Sequence, residues 1–156
     1  MIEYGYLPSS IEYCLKYDVI DDLVVFDDLN QEARWSPFEW SDKPDYIDLL
    51  SFSGFFGSIE CFKHLLMKGL EINDFVLSNI VCSGCLDLFR LCQEQQFITP
   101  NLICKASEFC HIPLLVYMFE NGADINIKDN CVEFLYLIGL LFILLLKMAI
   151  LVLLNI

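Results

Sequence analysis

Apolar residues recur three and four positions apart through the middle of the chain, the spacing of amphipathic helices with one buried face. Residues 57–73 (GSIECFKHLLMKGLEIN) place Ile59, Phe62, Leu65 and Leu66 on such a stripe. Residues 84–98 do so with Leu86, Phe89 and Leu91, and residues 110–126 with Ile112, Leu115, Met118 and Phe119. Upstream of each lies a second apolar stretch, at 49–56, 75–82 and 102–109. Each unit therefore reads as a helix, a tight turn at Gly57, Gly84 or Cys110, and a second helix. Gly69 and Gly122 close the first and third units, where a helix commonly ends with positive φ. Gln96 holds that place in the second, which should end less cleanly.

The three segments superimpose without gaps, at spacings of 27 and 26 residues. A helix pair of this kind cannot bury its own apolar face, and stacked neighbours supply the core. The pattern predicts an all-α chain, a short solenoid of stacked helix pairs over residues 48–130, with units at about 48–73, 74–98 and 99–130. Residues 1–47 predict a helical leader. Ser9 or Ser10 can cap a helix through Ile11, Cys14 and Leu15; Ile20, Leu23, Val24 and Leu29 suit a second. Ser36-Pro37 is a helix-start signal. Together these form the N-terminal cap that a solenoid needs.

Residues 120–130 (ENGADINIKDN) resemble the end of an ankyrin repeat and the loop after it, and residues 57–73 match the second half of that repeat position by position. The arrangement, with its acidic leader and WSPFEW at 35–40, resembles a large protist family of ankyrin-like proteins known only as a domain of unknown function. The resemblance implies stacked helix pairs and a protein-binding role. The spacing is shorter than the ~33 residues of ordinary ankyrin repeats, and no unit carries their T-P-L-H signature.

Charge narrows the partners. Twelve acids and three bases (Lys16, Arg34, Lys43) lie in residues 1–48 of a chain whose net charge is −13. Such a surface repels phosphate backbones and anionic lipid headgroups, which argues against nucleic acid and leaves an unidentified protein as the partner. No secretory signal is visible, so a cytoplasmic location and eight reduced cysteines are expected.

Residues 131–156 are different in kind. Between 134 and 154 the one charge is Lys147, over a length that can span a bilayer. Its apolar side chains favour insertion by ~6–8 kcal/mol in sum, against about 3 for the lysine. One reading is a hydrophobic C-terminal transmembrane helix, giving a single-pass tail-anchored protein with its repeats in the cytosol. The other is a frameshift. If residues 139–144 are encoded GGA CTC CTC TTC ATT TTG, reading from the last base of the first codon gives T-P-L-H-F. With suitable codons for residues 145–156, the shifted frame continues A-A-K-N-G-H-L-S-V-V-E-Y, a near-consensus ankyrin repeat where a fourth unit is due. A frame change between Asn130 and Gly139 would account for it.

No residue constellation predicts catalysis, a metal or a cofactor. Cys82-x-x-Cys85 lacks a second ligand pair at finger spacing and straddles a repeat turn. His64 and His111 have no nucleophile motif beside them. The acid pairs Asp21-Asp22 and Asp27-Asp28 lack calcium-loop spacing and read as the solvated side of a leader helix. The GFFG of residues 54–57 lacks the lysine of a phosphate loop. Trp35, Phe38 and Trp40 suit either a cap packed onto the first repeat or a partner hot spot. The expected function is a non-enzymatic protein–protein interaction or scaffolding module. The alternatives are a membrane-tethered adaptor and a nonfunctional frameshifted product.

Overall fold

A computed structural model describes residues 5–29, 31–37, 45–93 and 99–123. The fold is mostly helical, with eight helices and one two-stranded hairpin among these residues. The chain divides into two compact units, Met1–Phe97 and Ile98–Ile156. The apolar run 134–154 and Gln96 lie outside the described residues.

In the first unit, α1 (Ile11–Tyr17) begins at Ser10, whose hydroxyl accepts the Tyr13 N–H at 3.2 Å. The short α2 (Ile20–Leu23) follows, and the chain leaves helical geometry before Leu29. An all-α chain with a wholly helical leader is therefore corrected at one place. Strands β1 (Glu32–Arg34) and β2 (Tyr46–Asp48) pair antiparallel, with Ala33 opposite Ile47. Both of those side chains are buried while their neighbours face outward, a period of two that no helix offers. Ser36 and Pro37 do not begin a helix at their own positions. Pro37 lies in a turn, and the Ser36 N–H donates to the buried Tyr6 hydroxyl at 2.7 Å.

The hairpin leads into α3 (Leu49–Phe56), capped by the Asp48 carboxylate on the Ser51 N–H at 2.7 Å. Then come α4 (Ile59–Met67), α5 (Asp74–Ser83) and α6 (Leu86–Gln93). Asn73 caps α5 through the N–H groups of Phe75 and Val76. The second unit holds α7 (Pro100–Glu108) and α8 (Ile112–Glu120), which pack on each other.

The local geometry repeats with the sequence. Leu49, Val76 and Leu102 hold equivalent places and are buried, as are Leu50, Leu77 and Ile103. In the second helices the buried triplets are Cys61/Phe62/Leu65, Leu88/Phe89/Cys92 and Leu114/Leu115/Met118, again at equivalent places. The turn residues Gly57, Gly84 and Cys110 all take positive φ, at 72°, 70° and 55°. At the first turn, the Ser58 N–H reaches Ser53 O and the Gly57 N–H reaches Gly54 O; His111 to Ala106 and Cys110 to Ser107 repeat the pair in the third. This is the Schellman closure, which satisfies the orphan carbonyls of the first helix. In the second turn the Ser83 hydroxyl intervenes, donating to Ile80 O and accepting the Cys85 N–H. Gly69 and Gly122 end α4 and α8 with φ of 96° and 88°, as their positions predict.

Candidate interaction surface

Within the first unit, α3 and α5 pack most intimately of all the elements. The close approach depends on Gly54, where a Cβ would sit 2.9 Å from Ile80 Cγ1. The second helices are not drawn together in the same way. A groove of about 390 Å³ opens there, lined by residues of α4 with Ile20 of α2 and Leu91 of α6.

Its floor and walls are largely apolar. Leu66 and Ile20 are half-buried, while Met67 is 79% and Leu91 40% exposed. Met67 stands out because methionine's unbranched, polarisable side chain adapts to varied contacts. Sequence spacing assigned Leu91 to the buried stripe of its helix; it lies outside it. Leu88, Phe89 and Cys92 form the stripe, and Leu91 sits about 100° around the helix from Cys92.

The charges around the groove divide into matched and unmatched groups. Lys63 donates to Glu60 at 2.9 Å on the same helix, and Arg90 lies 3.8 Å from Asp87. Asp21 and Asp22 on α2 are exposed and make no ion pair among the described residues.

Most of the other residues noted in the sequence fall elsewhere. His64 lines the groove, whereas His111 precedes α8 and its ring stacks on Phe109, centroids 6.0 Å apart. Asp27 and Asp28 follow α2 outside any helix, which corrects their assignment to a helix face. The glycines of GFFG are the end of α3 and its turn. Trp35 packs on Phe52, Phe55 and Phe56, with ring centroids 5.0, 5.1 and 6.1 Å away, which ties the leader to the first helix pair. Phe38 and Trp40 lie outside the described residues. Lys16 extends over the rings of Tyr6, Tyr17 and Phe56 at 5.2–5.7 Å, a cation–π cluster absent from any sequence motif.

Cys82 and Cys85 are half-buried thiols on either side of the second turn. Among the described residues no group of three or more His, Cys, Asp or Glu side chains is placed to hold a metal ion. Burial pushes the thiols of Cys14, Cys61 and Cys92 upward, Cys92 to about 12; the Asp18 carboxylate adds to the effect at Cys61. Cys104 is disulfide-bonded, which corrects the expectation of eight reduced thiols. Spacing along the chain does not reveal which cysteines meet in space.

Comparison of the chain with family models, with characterised proteins and with solved structures finds no match. No described helix is long and apolar enough to cross a membrane.

Proposed function

We propose that the chain is a non-catalytic protein–protein interaction module, an ankyrin-like solenoid of stacked helix pairs acting in the cytoplasm. The observation that carries this reading is the open apolar groove beside α4, with Met67 and Leu91 on its surface. Exposed apolar side chains clustered in a concavity, rimmed by charge, are the usual character of a binding surface. The repeated burial pattern supports the repeat reading, because the same positions are apolar and buried in each pair.

Replacing Met67 or Leu91 in the full chain with a photo-cross-linking residue tests the proposal in cells. The expected result is a discrete protein adduct from both positions. Adducts to lipid alone, with the chain retained in membranes after alkaline carbonate extraction, would oppose it. That outcome would favour the second reading, a tail-anchored adaptor, which rests on the apolar run at residues 134–154. A nonfunctional frameshifted product predicts no adduct and little accumulated protein.

A further inference from the structure

We propose that the apolar run at residues 134–154 folds back on its own unit and covers the face of α7 that carries Cys104 and Ser107, clamped there by a Cys104–Cys131 disulfide. The clamp follows by elimination. The chain has eight cysteines, Cys104 is disulfide-bonded, and Cys14, Cys61, Cys82, Cys85, Cys92 and Cys110 keep their thiols, which leaves Cys131 as the partner. A disulfide holds its two Cα atoms within about 7 Å of each other. Cys131 lies three residues before Phe134, so the bond puts the start of the run beside α7. The run belongs to the same compact unit, Ile98–Ile156.

The repeat identifies the face that is covered. In the first unit α5 lies against α3 at Gly54, where a Cβ would meet Ile80 Cγ1 at 2.9 Å. Ser107 holds in α7 the place that Gly54 holds in α3, and it is fully buried, its hydroxyl donating to Ile103 O at 2.8 Å. Among the described residues of the second unit, no third helix follows α8 to cover Ser107 as α5 covers Gly54. Cys104 precedes Ser107 by one turn, on the same side of α7. The clamp therefore ties the run to the side on which the next helix pair is due. Eleven residues lead from Glu120, at the end of α8, to Cys131; they can span about 35 Å, against about 14 Å for α8 itself, so the return is within reach. A bilayer is the other cover open to so apolar a run. A run tied to α7 just before its first residue meets protein before it meets lipid.

Formation of the clamp needs an oxidant: the two thiols give two electrons and two protons to glutathione disulfide, which leaves as two glutathione thiols. The test therefore makes the full chain by cell-free synthesis with glutathione disulfide and phosphatidylcholine vesicles present. The photo-cross-linking residue benzoylphenylalanine replaces Phe142 in the run. The expected result is one disulfide-linked pair of tryptic peptides, holding Cys104 and Cys131, and on irradiation an adduct between residue 142 and α7 of the same chain. Cys131→Ser should lower that adduct by about threefold, because only the chain connection then keeps the run near. Cys104 recovered as a thiol, adducts to lipid alone, or adducts to a second copy would each overturn the proposal. So would an adduct yield indifferent to Cys131→Ser. The interaction module is tested separately, by adducts at Met67 and Leu91, so the two readings can fail independently.

Discussion

The carboxylate of Asp18 accepts the backbone N–H of Cys61 at 2.8 Å and also that of Glu60 at 3.2 Å, so the end of α1 caps the start of α4. Ser58 occupies the ordinary capping position of α4, yet its hydroxyl donates to the Leu15 carbonyl of α1. The two helices thus exchange partners. A residue of the leader satisfies the orphan donors of the first helix pair, and a residue of that pair satisfies an orphan acceptor of the leader. The Cys61 thiol donates to Cys14 O at 3.5 Å beside them. Asp18 takes a left-handed backbone, φ 56°, to make this reach.

Asp18→Ala should therefore lose about 1–2 kcal/mol of stability through the missing cap, with a further cost for alanine at positive φ. Asp18→Asn should lose less, because asparagine both tolerates that backbone and accepts hydrogen bonds. Urea unfolding of the three proteins would check the order; equal midpoints for alanine and aspartate would contradict the cap.

The close contact between α3 and α5 makes a second prediction. Gly54→Ala should cost about 1–3 kcal/mol by overpacking against Ile80 Cγ1. Ile80→Ala in that background should cost less than it does in the unmodified chain, since it removes the atom that clashes. A double-mutant cycle by chemical denaturation measures the coupling.

Cys110 holds the place that glycine holds in the other two turns, at φ 55°. Cys110→Gly should stabilise the second unit by about 1 kcal/mol by relieving the left-handed strain of a residue with a Cβ. Gly57→Ala should do the reverse. Thermal denaturation of the pair reads both signs.

Cys14, Cys61 and Cys92 are buried, with thiols pushed above the ordinary value, whereas Cys110 is exposed. Alkylation of the native chain should label Cys110 early and those three only on unfolding. A group whose folded pKa is raised lends stability below its unfolded pKa and loses it as pH climbs towards the folded value. Stability should accordingly fall from about pH 9 towards the Cys92 value of about 12, as denaturation midpoints across that range would reveal.

The helix pairs were legible in the sequence because their signals are local. Apolar spacing marked the helices, and Gly57, Gly84, Gly69 and Gly122 marked where they end. The β1–β2 hairpin was not legible, since three-residue strands carry too little alternation to declare themselves. Asp18 was equally hidden. Its partners lie 42 and 43 residues away, and a lone acid after a helix does not announce which N-terminus it will cap. The groove depends on Leu91, whose exposure follows from a helix phase set by Leu88 and Cys92. Spacing alone put Phe89 on the stripe, where it is buried, but named Leu91 where Cys92 is the buried residue.

The proposed binding array implies that a fourth helix-pair unit is encoded, out of frame, where residues 139–156 stand. Sequencing the transcript and the genomic DNA through codons 128–157 and beyond tests it most directly. An adjacent frame is expected to encode T-P-L-H followed by the rest of a repeat, which would make the apolar run an accident and the helix pairs the functional element. Codons that cannot yield that motif in either shifted frame would contradict it, and would transfer the function to a membrane-anchoring tail.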